Sequence, residues 1–470
     1  MTQQLDMLRR RHPKLIYKQY TVDYLADAVH FSAEFLLLPN IVFRPKTIIQ
    51  GVSEEQWAAM SPEVMNNFAF HLGMAEILSY WKAACPSEIV IEAGYLDEYQ
   101  LAWWHKLLIN GMGEFFYQNQ IDFTAPDFVR LYVSEQVTPS PLLRFDNPLE
   151  SNSVLVPIGG GKDSIVTVET LGEHIQTLGT LALNTTQATE DTIQRSKSSR
   201  TIYVKRTIDP TLLGLNQQGY LNGHTPFSSV LAFIAITCAA LFNYRYVALS
   251  NERSSNEGNQ VFHGHVVNHQ YSKTYQFEVD FQQYATRYLT ASVKYFSYLR
   301  PLYELQIAAL FAQMKPYHSI FRSCNVGQKD NTWCHSCPKC LFVYTILYPF
   351  MSEAELGLVF NHDLFARSDL LPIARELAGL ADVKPFECVG THEESLIAFY
   401  LAAQKYRQRG QNLPIILQAI YDEALIHAAD LPARAQALLH AWNEEHAVPE
   451  HLEKYLRQKL NTMVEQITWA

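Results

Sequence analysis

The stretch SVLVPIGGGKDSIVTVETL, Ser153 to Leu171, constrains the fold more than any other part of the chain. A β-branched apolar run breaks at Gly159, Gly160 and Gly161, then continues through Lys162, Asp163 and Ser164 into an amphipathic segment. A strand that empties into glycines and restarts as a helix presents free backbone N–H groups at the helix N-terminus. That is an anion site by construction. Glycines let the backbone approach the anion and take positive φ. Ser164 adds a hydroxyl donor, and Lys162 a charge to offset phosphate. Two familiar phosphate loops do not fit. The Walker pattern needs Ser or Thr after Gly-Lys, where Asp163 stands, and an earlier glycine where Val156 stands. The dinucleotide fingerprint needs a glycine at position 164, which is serine. The plain alternative is a glycine turn that only starts a helix.

The surroundings alternate. From 151 to about 345, VLVPI, TLGTLALN, RTIYVKR and YRYVALS read as strands, while KDSIVTVETLGEHI and PFSSVLAFIAITCAALFN read as helices. Continuous apolar strands between helices predict a parallel sheet covered on both faces. Residues 1–150 mix strand-like IVFRPK and EIVIEAGY with aromatic-rich helical runs, and predict an α+β region. These first 150 residues, with their INGMGEFF stretch, Ile109 to Phe116, are the obvious candidate for substrate contact. The Pro-, Ser- and Asn-rich segment TPSPLLRFDNPLESNS marks a boundary near 150. From 346 to 470, four runs with a 3.6-residue apolar stripe predict a mainly helical region.

The glycine loop resembles the S-G-G-x-D-S loop of the PP-loop ATP pyrophosphatases. Gly160, Gly161, Asp163 and Ser164 match, and Gly159 replaces the first serine. In that superfamily the loop holds the β- and γ-phosphates, and ATP is cleaved between α and β. The resemblance implies an α/β, HUP-like core of the adenine-nucleotide α-hydrolase kind. It also implies ATP and Mg²⁺, with Asp163 helping to hold the ion.

Four of the seven cysteines, Cys324, Cys334, Cys337 and Cys340, crowd into SCNVGQKDNTWCHSCPKC. Four thiolates on one short loop can close a tetrahedral shell around a structural Zn²⁺. Iron–sulfur ligation, a redox pair of Cys334 with Cys337, and four unrelated thiols are the other readings. A similar four-cysteine zinc loop occurs in 7-cyano-7-deazaguanine synthase.

Further stretches narrow the resemblance: LNGHTPF, ALSNERSSNEGN, VNHQYSKTYQFE and KPFECVGTHEE. With the glycine loop and the cysteines, their order looks like the ATP-dependent UDP-N-acetylmuramoyl-L-alanyl-L-glutamate epimerases, from about residue 20 to 420. That family inverts the terminal glutamate of a peptidoglycan precursor. The α-proton of a C-terminal glutamate is hard to remove beside a carboxylate. An acyl-adenylate cancels that charge and lets the carbonyl accept the developing one. Proton removal and return then need positioned groups of suitable pKa, and the enolate-like oxygen needs donors.

Segments after strands face the ligand crevice of an open α/β sheet, so their polar residues are the candidates. His224 is an acid or base, or a cap of the next helix. Glu252 is a Mg²⁺ ligand and Arg253 a partner for phosphate or carboxylate, or the two form a turn salt bridge. His269 and Lys273 act on the α-proton and on anionic substrate groups, or line a solvated face. Cys388 is an α-carbon base as thiolate, or an inert buried thiol.

The formal charge is −10, from 37 basic and 47 acidic residues. That argues against nonspecific binding to a nucleic-acid backbone. It leaves a small-molecule partner, the UDP-muramyl dipeptide, open. The longest apolar run, Val230 to Phe242, is too short to span a bilayer, and the N-terminal sequence has no signal-peptide pattern. A cytoplasmic enzyme with no membrane partner is expected. The competing readings are another PP-loop enzyme that adenylates a nucleobase or tRNA, and a non-catalytic nucleotide-binding zinc scaffold.

Overall fold

The computed structural model describes residues 3–140 and 143–467. It is a mixed α/β structure that divides into two compact units, each built from three stretches of chain. Unit 1 comprises 1–155, 202–247 and 261–295; unit 2 comprises 156–201, 248–260 and 296–470. Among the described residues no helix is long and apolar enough to cross a membrane.

Unit 1 begins with a long hairpin, β1 (Lys14–Leu25) and β2 (Ala28–Leu37), paired antiparallel. Ala26 and Asp27 turn the chain with φ of +52° and +55°. Positive φ at both central residues matches the right-handed twist of the strands. β2 also pairs with β3 (Ile41–Phe43) and β4 (Lys46–Gln50), and β1 pairs in parallel with β5 (Glu88–Ile91), which pairs with β6 (Arg130–Val133). Val204 to Thr207 runs antiparallel to β4, and Tyr244 to Val247 runs parallel to Glu150 to Leu155.

The helix Pro62–Trp81 is buried along almost its whole length. An all-round apolar helix is a core element rather than a surface one. Several of its polar groups find partners inside the core. Asn67 donates to the carbonyls of Leu143 and Tyr288, and His71 hydrogen-bonds Tyr284 at 2.9 Å. Glu76 takes a bidentate pair from Arg206 at 2.5 and 2.6 Å. Trp103, Trp104, Phe233 and Tyr284 pack ring to ring beside it. Of the aromatic-rich helical runs in residues 1–150, the one before residue 85 is cut at Ser61-Pro62. Ser61 caps the helix by accepting from Val64 N–H, and proline suits its first turn.

In unit 2, Ile158 N–H donates to Leu181 O in the strand Thr177–Leu183. Tyr298 N–H donates to Leu249 O. The helix Lys162–Gly172 follows the glycines, as the sequence predicts. The four expected C-terminal helices are present as His392–Gln408, Ile415–Glu423, Leu431–His440 and Glu450–Gln466.

Candidate active site

Two constellations carry chemistry, one in each unit. In unit 2, Gly160 has φ +78°, and a Cβ on it would lie 2.7 Å from the backbone carbon of Ala188. Only glycine fits there. Gly159, by contrast, has open space where a Cβ would stand. Gly161 starts the helix Lys162–Gly172 without a side-chain cap, and the positive end of a helix favours an anion. Ser164 Oγ donates to Gly161 O at 3.0 Å.

Lys162 differs from its sequence reading as a group open to phosphate. It is 1% exposed and ion-paired with both Asp163 and Glu304. Burial opposes its charge, but the two carboxylates outweigh burial and raise its pKa. Glu304 is pushed up to about 7 by burial and by the Asp163 charge, against the pull of Lys162 and Lys339. Lys339 Nζ stands 3.8 Å from Glu304 and also donates to the carbonyl of Cys388. Neither Glu304 nor Lys339 was among the sequence candidates. Glu304 sits in a helical run with no motif around it, whereas Lys339 lies inside the cysteine motif, between Cys337 and Cys340, and was passed over there.

Glu252 is buried, and its carbonyl accepts from Arg300 at 2.6 Å. Arg253 stacks its guanidinium over Tyr303 at 4.5 Å. That contact holds the planar cation without neutralising it. Cys388 is half-buried on a turn.

The cysteines converge. Cys324 and Cys337 sulfurs are 3.9 Å apart, Cys334 and Cys340 3.8 Å, and Cys337 and Cys340 3.5 Å. Disulfide sulfurs lie about 2 Å apart, so these are free thiols. Four sulfurs on one tetrahedral ion with bonds near 2.3 Å lie about 3.8 Å from one another. A multi-iron cluster divides the four thiolates among two or more irons and so spreads some of them wider. Backbone N–H groups of Gly327 and Cys334 also point at Cys324 Sγ, at 3.2 and 3.4 Å. Such donors stabilise thiolates. The donor set fits a single soft divalent ion. The loop lies against the glycines, since Arg322 N–H donates to Gly160 O at 2.9 Å.

In unit 1, His224 and His269 meet with ring centroids 4.5 Å apart. Both converge on Glu114 Oε2, His269 Nδ1 at 2.5 Å and His224 Nδ1 at 3.4 Å. His224 does not cap the helix Phe227–Leu241, which has no side-chain cap. Its pKa is lowered to about 3, by burial first and then by His269, Lys82 and Lys273. The nearby Glu114 oxygen favours charge, but His269 already engages it at closer range. His224 is therefore neutral at pH 7. Lys82 is itself held down, to about 8, by burial and Arg206, and donates to Gly223 O at 2.6 Å. Glu114 lies in the INGMGEFF stretch, and was not itself a sequence candidate. Neutral and acidic groups gathered around two imidazoles, with lysines beside them, can move protons and steady an oxyanion.

The MurL N-terminal domain model matches residues 7–298, and the MurL C-terminal domain model matches residues 317–431. The chain belongs to the MurL family. A MurL-family relative from a Micromonospora species is 35% identical over 337 residues, 71% of this chain and 74% of its own length. Others from Salinispora tropica and Xanthomonas oryzae pv. oryzae are each 35% identical, over 70% of this chain and 71% and 72% of their own lengths. All three are named UDP-N-acetyl-alpha-D-muramoyl-L-alanyl-L-glutamate epimerase. The glycine loop and the histidine cluster fall within the matched MurL N-terminal domain, and the cysteines and Cys388 within the MurL C-terminal domain. Glu304 lies between the two matches.

Proposed function

We propose that this MurL-family chain epimerises the terminal L-glutamate of UDP-MurNAc-L-Ala-L-Glu to D-glutamate in peptidoglycan precursor synthesis. The observation that carries the reading is the shared name of three relatives aligned over about 70% of the chain. ATP supplies the adenylyl group that turns the unreactive carboxylate into an acyl-adenylate, with AMP and pyrophosphate as products. Gly159, Gly160, Gly161 and Ser164 are the proposed phosphate-binding residues, in a PP-loop, HUP-like core, and Asp163 and Glu252 the proposed Mg²⁺ ligands. Arg253 offsets the anionic charge, whereas Lys162 is buried against Asp163 and Glu304. The helix Lys162–Gly172, which starts at Gly161 without a side-chain cap, supports this assignment.

His269 is proposed to take the α-proton and Lys273 to return one to the other face. His224, beside His269, is proposed as a second acid or base. Cys388 is left as a candidate base whose carbonyl, rather than sulfur, is engaged by Lys339. Zn²⁺ is the proposed occupant of Cys324, Cys334, Cys337 and Cys340, where it would hold the loop and take no part in the reaction. The sulfur spacings support one ion rather than an iron–sulfur cluster.

The test is incubation with ATP, Mg²⁺ and UDP-MurNAc-L-Ala-L-Glu, followed by chiral analysis of the glutamate and assay of AMP. D-glutamate with AMP is expected. Unchanged L-glutamate, or ADP as the nucleotide product, sinks the reading.

A further inference from the structure

Glu114 is 6% exposed, in the short helix Gly113–Gln118. A buried carboxylate costs several kcal/mol unless it is paired. This one is paired mainly with imidazoles. Its Oε2 receives His269 Nδ1 at 2.5 Å and faces His224 Nδ1 at 3.4 Å, while Oε1 accepts from Gln118 Nε2 at 2.6 Å. Two imidazoles and a carboxylate with ligand atoms within 4.8 Å also suit a divalent cation. Two features favour proton transfer over metal. Lys82 and Lys273 act on His224 as positive neighbours, which repel a second cation. Both Glu114 oxygens already hold hydrogen-bond donors.

We infer that Glu114 is the positioning residue of a proton-transfer dyad: by accepting the Nδ1–H of His269 it fixes the tautomer whose lone pair is on Nε2, and it balances the imidazolium that forms. The inference rests on the epimerase reading above. In the step, the Cα–H bond of the terminal glutamate breaks and its proton joins Nε2. The electron pair moves through the new C=C bond onto the oxygen of the activated carboxyl. The Lys273 ammonium then gives a proton to the opposite face, the carbonyl re-forms, and solvent returns a proton to Lys273 and takes one from His269. A carboxylate behind a histidine base works by orientation and charge, not by accepting the proton itself.

The test uses the full chain with ATP, Mg²⁺ and UDP-MurNAc-L-Ala-L-Glu in D₂O, comparing wild type, Glu114→Gln and Glu114→Asp. Uptake of α-deuterium reads proton transfer, and ATP–pyrophosphate exchange reads activation. Glu114→Gln is expected to slow α-exchange by about 10²–10⁴-fold and to leave pyrophosphate exchange within about threefold. Its acid limb should move to lower pH, since the imidazolium has lost the anion at its Nδ1. Glu114→Asp, which keeps the carboxylate, should recover at least about tenfold. It also keeps the question open to measurement if the glutamine variant fails to fold. Equal loss of both exchanges, or an unmoved acid limb, overturns the dyad. So does one divalent ion fewer per chain in Glu114→Gln than in wild type. Wild type that exchanges neither α-proton nor pyrophosphate overturns the epimerase reading itself, and the dyad with it.

Discussion

The cysteine loop of unit 2 and the histidine–glutamate cluster of unit 1 are about equally compact, yet they are built in opposite ways. The thiols come from one stretch, Cys324 to Cys340, whose backbone has little regular structure between the 3₁₀ turn Lys315–Tyr317 and the helix Pro338–Leu347. Glu114, His224 and His269 come from three distant segments, and each sits on or beside an element packed in an aromatic core. A site made by a loop depends on what it binds for its shape. A site made by a core is already shaped before anything binds.

The sharpest way to break that contrast is to remove ligands from each. If the proposed metal is held there, Cys337→Ser or Cys340→Ser is expected to lose it and to cost more than about 4 kcal/mol of stability, the range reserved for loss of a metal site. Metal analysis and thermal melting check it. A serine variant that melts with wild type, with no metal in either, dissolves the distinction. His269→Asn should do the reverse. Stability should move by no more than about 1 kcal/mol, while α-proton exchange falls by about 10²–10⁴-fold, the usual worth of a general base. Pyrophosphate exchange, which the proposed function assigns to the glycine loop, should survive in this variant.

The same contrast explains what the sequence revealed. The cysteines were legible because all four ligands lie within one short span, so spacing alone reported them. The glycine loop and its helix were legible because a strand end, glycines and a helix start are neighbours in the chain. His224 and His269 were found only as residues after apolar runs, and Glu114 only as part of a stretch expected to touch substrate with no residue singled out, because the pairing that gives them meaning is tertiary. Lys162 was read as a cation open to phosphate. Its burial between Asp163 and Glu304 depends on a helix, Glu304–Ala312, far along the chain. The β1–β2 hairpin went unread for a different reason. Its turn is Ala26-Asp27, both at positive φ, without the Asn-Gly or Asp-Gly pair that usually marks such a turn.

Local geometry separates even adjacent glycines. Gly160→Ala is expected to cost about 2–3 kcal/mol, because it places a side chain at φ +78° against the backbone of Ala188 and Thr189. Gly159→Ser, which enters open space, should stay within about 0.5 kcal/mol. Denaturant midpoints of the two variants check the difference. Equal midpoints mean that the loop relaxes freely and that its shape is not set before nucleotide arrives.

The smallest effect concerns pH, and it bears on how fully the core of unit 1 shapes its cluster. His224 is held at about 3 against an ordinary 6.5, by burial first and by its cationic neighbours second. The folded state therefore binds this proton less well than the unfolded chain does. Stability from this group is present above pH 6.5 and is lost as pH falls from 6.5 toward 3. Between pH 7 and pH 5 the loss is about 2 kcal/mol, since each pKa unit is worth about 1.4 kcal/mol once the unfolded histidine titrates. His224→Gln, which cannot charge, should remove that share of the acid limb and leave stability above pH 7 closer to wild type. Urea midpoints measured at pH 5, 6 and 7 for both proteins give the comparison. If the two acid limbs run parallel, water reaches His224 in the folded chain, and the cluster is as dependent on its occupant as the cysteine loop.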